Sequence, residues 1–145
     1  MDIAYVVGLI LFIIHIVALV AGGANAVIMP VIGPKLATAT GDVRGGLMGV
    51  VTGLSKIGKW ALGTLLVSGV LVLWLKWNWA PPNAGWFWAK MAFVALMIVF
   101  IALNEVNARK ARAGDAEAGK AAARFGQLTA LAFLGVIISA VFAFN

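Results

Sequence analysis

The groups in this sequence whose chemistry could matter are one histidine, one lysine and an asparagine–glutamate pair, because each lies in or against a long apolar run. His15 is the only histidine among 145 residues and sits deep in the first run. Steps of three and four from it meet Gly8, Leu11, Ala18, Leu19 and Gly22, so its helical face is rich in small residues. Small residues let helices approach closely in lipid, so the imidazole is expected to point into the protein and away from acyl chains. An ionisable group at membrane depth is a functional candidate by default. Three readings of His15 stand side by side: a neutral imidazole hydrogen-bonded to a hydroxyl or carbonyl, an axial ligand to haem or another tetrapyrrole, and a proton relay. With a single histidine, one subunit cannot supply two imidazoles to a haem. A second ligand would be Met, Lys, water or a neighbouring subunit.

Lys90 lies shortly inside the third apolar run. Its stem can snorkel to the headgroups. The alternative is an electrostatic anchor for an anionic group, such as a propionate or a quinone oxygen. Asn104 and Glu105 close the same run, and Glu105 and Arg109 have the i,i+4 spacing of a modest helical ion pair.

The elements that must carry these residues are four apolar stretches, over residues 3–22, 59–75, 85–103 and 125–144. Each is close to the roughly 20 residues a helix needs to cross the hydrocarbon core, and a helix satisfies its backbone polar groups without water. The chain is 63% hydrophobic and 11% charged, far from the roughly one quarter charged of soluble domains. The fold class predicted is an all-α integral membrane four-helix bundle, one transmembrane domain over residues 1–145 with no room for a soluble one. The absence of cysteine removes disulfides, thiolate metal sites and cysteine nucleophiles.

The net charge of +6 comes from basic residues that flank the runs. It therefore points to topology control and contact with anionic lipid, not to nucleic acid. Lys35, Arg44, Lys56 and Lys59 separate the first two runs, and Arg109, Lys110, Arg112, Lys120 and Arg124 separate the last two. Only Lys76 and Lys90 flank the middle connection. Positive residues accumulate on the cytoplasmic side, so both termini are expected to be extracytoplasmic in a multi-pass protein of a bacterial-type inner membrane. Trp74, Trp77, Trp79, Trp86 and Trp88 crowd the outer connection as an aromatic belt, and Pro81-Pro82-Asn83 turns the chain there.

Ala24-Asn25-Ala26 imitates a signal-peptide cleavage site. The preceding residues lack the basic n-region, however, and the apolar run exceeds an h-region of about 7–15 residues, so a retained first helix is expected. Gly22, Gly23, Pro30 and Pro34 are expected to break up the stretch after it, with residues 27–32 either continuing the helix to the interface or lying along it, and residues 41–58 to form a loose interfacial lead-in to a longer second helix. Residues 107–124 should extend the last two helices with a turn between them. Gly135, Ser139 and Ala143 recur every four residues and mark a packing face, as do Gly63, Ser68 and Gly69 in the second run.

The opening LFIIHIVALVAGGANAVIMPVIGPKL, the second run KIGKWALGTLLVSGVLVLWLKW and the start of the third, GWFWAKMAFVALMIVF, together resemble the small membrane proteins related to the copper-resistance D domain and to the membrane protoporphyrinogen oxidases. The likeness covers about residues 8–105. It implies that His15 corresponds to the histidine of the family's first helix. Lys90 and Met91, with Trp86 one residue further upstream than the pattern places its aromatic, loosely match the aromatic–x–x–lysine–hydrophobic opening of its third. Relatives often carry a further histidine near the end of the third helix, where this chain has Asn104. The resemblance thus implies a haem b- or tetrapyrrole-linked redox protein, with His15 as metal ligand and Lys90 as a cofactor contact. The competing reading is a non-catalytic accessory subunit of a larger membrane complex, or a homo-oligomer, whose contacts are its function. A transporter would want paired intramembrane charges or a broken helix at midplane. A hydrolase would want a carboxylate at depth or a serine beside His15; the sequence offers neither.

Overall fold

The computed structural model describes residues 3–145, Pro30 by its backbone alone. Four helices follow one another: α1 (Ile3–Thr38), α2 (Gly41–Trp77), α3 (Ala84–Arg112) and α4 (Ala116–Phe144), with no strand among the described residues. All four are long and apolar enough to cross a membrane, so the all-α membrane architecture is the one expected. They form two compact units that divide between Pro82 and Asn83. In the first, α1 packs along α2; in the second, α3 packs along α4.

Each hairpin is antiparallel. In the first, His15 meets Ser68 and Asn25 meets Leu54. In the second, Trp86 stacks on Phe142 and Phe100 on Phe125. The buried positions are mostly small: Ala18, Ala61, Ser68 and Val72 in one hairpin, and Ala118, Ala132, Val136, Ser139 and Ala143 with Met97 in the other. Large aliphatics face outward instead, among them Val17, Val20, Val67 and Leu131. That inversion suits a bilayer, where lipid solvates the large side chains and small ones let the helices touch.

The turns follow local chemistry. Asn78 ends α2 in the left-handed region, and the Trp79 N–H returns to the Leu73 carbonyl, closing the helix end. The Asn83 side chain accepts from the Trp86 N–H at the start of α3, and the Asn83 N–H donates to the Ala143 carbonyl at the end of α4. Gly114, at φ +105, makes the sharp turn between α3 and α4. Asp115 then caps α4 by accepting from the Ala118 N–H at 3.0 Å.

Two expectations are corrected. Helix α1 does not break at Gly22, Gly23, Pro30 or Pro34: residues 27–32 continue it, one of the two courses expected for them, and it runs 36 residues to Thr38. Residues 41–58 are not a loose lead-in but the first half of a 37-residue α2. The breakers lose because propensity is a weak prior that packing overrides. In a membrane helix, neighbouring helices and hydroxyl side chains can compensate the backbone groups that proline frees. The packing here is visible: a Cβ on Gly22 would rest 3.6 Å from Ala61, and the Asn25 amide donates to the Leu54 carbonyl at 2.9 Å, tying the two segments together. At a rise of about 1.5 Å per residue, α1 and α2 are each about 54 Å long, well beyond a hydrocarbon core of about 30 Å.

Candidate functional site

His15 sits in the seam between α1 and α2. Its ring Nδ1 is 2.9 Å from the Ser68 hydroxyl, 53 residues away in sequence. The same hydroxyl donates to the Thr64 carbonyl one turn back, at 2.5 Å. Ser68 is only 3% exposed, so water does not compete for these bonds. Gly69 gives the imidazole its place, since a methyl there would lie 3.2 Å from His15 Cε1. The small-residue face read from the sequence is the face that meets α2: Ala18 is buried and Gly22 lies against Ala61. The seam borders an apolar groove of about 440 Å³ along Leu11, Ile14, Trp60, Val67 and Ser68.

Lys90 belongs to the other hairpin. Its ammonium lies 5.0 Å from the centre of the Phe144 ring and 5.5 Å from that of Phe87, so α4 supplies an aromatic face to a cation that α3 carries half-buried. The Glu105–Arg109 pair forms at 2.9 Å as the spacing predicts. At an exposed site such a pair contributes little.

Asn104, which stands where relatives of the resembled family often have histidine, has a structural task. Its amide donates to the Ala122 carbonyl at 2.8 Å. Gly126 leaves it room, a Cβ there lying 3.2 Å from the amide nitrogen. Asn25 is the residue that sequence reasoning overlooked. Its Nδ2 bridges to α2, while its Oδ1 is buried without a hydrogen-bond partner. The signal in the sequence is an amide in an apolar run, although Ala24-Asn25-Ala26 also resembles a cleavage site. Ser68 was likewise seen as a packing residue, although it is also the partner of His15.

Among the described residues, no three His, Cys, Asp or Glu side chains come together to hold a metal ion. What these elements define is a helical integral membrane protein with one imidazole fixed in a helix–helix seam. The chain matches copper resistance protein D over residues 48–143, about two thirds of its length, and belongs to that family. No curated protein and no protein of known structure matches it. The matched segment runs from within α2 to the end of α4, so it contains Ser68, Lys90 and Asn104, and His15 lies before it. Family membership therefore rests on the last three helices, whereas the resemblance read from the sequence leaned on the first.

Proposed function

We propose that this member of the copper resistance protein D family is a redox-linked membrane protein that binds haem b or a related tetrapyrrole, with His15 as the protein ligand to the metal. The observation that carries the reading is the ring held by Ser68, with no group of three His, Cys, Asp or Glu side chains among the described residues that could hold a bare ion. A bare ion held by side chains needs several converging ligands. A tetrapyrrole brings four nitrogens of its own and asks the protein for one or two axial ligands, which is what a lone imidazole fits. The bound group would supply one-electron exchange. The chain would supply the imidazole, its orientation through Ser68 and an apolar, water-poor surround. Lys90 is proposed as a contact for an anionic oxygen group on the second hairpin.

The test is the visible absorption spectrum of the protein purified from cells supplied with haem. A Soret band is expected. A colourless preparation would overturn the haem reading and leave the accessory-subunit reading ahead.

The proposed placement puts both termini and the tryptophan-rich connection outside and the Gly114 turn in the cytoplasm. Its support is nine basic residues around two connections against two around the third. Reporters fused after Asn145 and within residues 81–83 are expected to read as extracytoplasmic, and one at Gly114 as cytoplasmic. A cytoplasmic signal from the 81–83 fusion would reverse the orientation.

A further inference from the structure

We infer that Ser68 is a positioning residue that locks His15 in its Nδ1–H tautomer, so that Nε2 carries the lone pair. A serine hydroxyl has one proton to give and two lone pairs. The Ser68 oxygen lies 2.5 Å from the Thr64 carbonyl, a distance at the short end for an O–H···O bond. Two oxygens so close without a proton between them would repel, so the hydroxyl proton is committed to Thr64. The 2.9 Å contact to His15 then leaves the serine oxygen only the part of acceptor, and the imidazole nitrogen facing it must be the one that bears hydrogen. Burial of Ser68 keeps water from offering a different arrangement.

Gly69 supplies the other half of the device. Any side chain there would press on Cε1, 3.2 Å from the Cβ position, and the ring would have to give by a few tenths of an ångström. Ser68 therefore selects the nitrogen, and Gly69 admits the ring to the place where the selection is made. In water the Nε2–H form of histidine is the more populated one, so the seam holds the imidazole in the form that aqueous histidine populates less. Nε2 is then the ring atom able to act as a donor to a metal, and the hydrogen bond at Nδ1 raises its basicity. The link to a metal rests on the tetrapyrrole reading; the tautomer does not.

The experiment uses the uniqueness of His15. The whole chain, labelled with 15N-histidine, purified through a histidine-free tag and freed of any pigment, gives the resonances of a single imidazole. In the wild type, Nδ1 is expected to resonate as a pyrrole-type, hydrogen-bearing nitrogen and Nε2 as a pyridine-type one. S68A should shift the population toward the Nε2–H form, and S68T, which keeps the hydroxyl, should restore the wild-type pattern. A wild-type spectrum with hydrogen on Nε2 overturns the inference without need of any variant, as does an S68A spectrum unchanged from wild type. A colourless protein with hydrogen on Nδ1 defeats the tetrapyrrole reading and leaves the positioning role standing. If the protein is pigmented, S68A should also weaken haem binding by roughly 10- to 100-fold.

Discussion

Replacing Gly135 by leucine is expected to lower the thermal midpoint of the protein in detergent by far more than trimming the neighbouring Leu134 to alanine. A Cβ on Gly135 would stand 2.6 Å from Cδ1 and 2.7 Å from Cε1 of Phe93, so even the first added carbon cannot be accommodated without moving a ring. Phe93 is only partly exposed, and Met97 one turn on and Val136 and Ser139 on α4 are buried in the same hairpin. Overpacking of this kind costs about 1–3 kcal/mol, occasionally more. Leu134, by contrast, is 52% exposed, and detergent or lipid replaces the contacts its side chain gives up. Equal tolerance of the two changes would mean that the Gly135 face looks at lipid.

The second large effect is expected at His15. On the tetrapyrrole reading, H15A should remove all bound pigment while the protein still inserts and folds. The hairpin should survive because the Ser68 hydroxyl keeps its donor bond to the Thr64 carbonyl when the imidazole is gone. The stability cost is then of the order of one hydrogen bond, about 1 kcal/mol. On the tetrapyrrole reading the loss of pigment, by comparison, should be complete, since His15 is the one imidazole in the chain. H15Q sharpens the test. Its amide can still reach toward Ser68, so a merely structural histidine would be replaced with little change in melting, whereas an axial ligand would be lost with the pigment. Pigment retained at wild-type occupancy in H15A would remove His15 from the metal. Measuring pigment content and melting on the same preparations separates the two outcomes.

What could be read from the sequence was what is local or periodic. The helical character of the apolar runs, the turn at residues 81–83, a turn within residues 107–124 and the face of Gly135 and Ser139 each depend on neighbours within a few residues, and the structure has them. The unbroken course of α1 and the helical first half of α2 were not legible. They are decided by how the two segments pack, as at Gly22 against Ala61 and Asn25 on Leu54, and glycine and proline taken one at a time argue the other way. The same gap hid the partner of His15. Its facing side was readable from Ala18 and Gly22, but Ser68 comes opposite only in one register of α2, and nothing local sets that register. The amide of Asn104 illustrates the converse: the residue was noticed for the histidine it stands in place of, while its bond to Ala122 depends on the α3–α4 pairing.

The order in which the chain is made gives the division at Pro82 a further meaning. A polypeptide is synthesised from its amino terminus, and its parts tend to fold as they emerge. His15, Ser68, Thr64 and Gly69 all precede that division, so every residue of the seam has been synthesised before the first residue of α3 is added. Contacts between adjacent helices also close small loops, which form fast compared with long-range pairings. The imidazole can thus be seated on its serine before the second hairpin is complete. A defect in α3 or α4 would then reach the histidine late, as a fault of maturation and not of its initial placement.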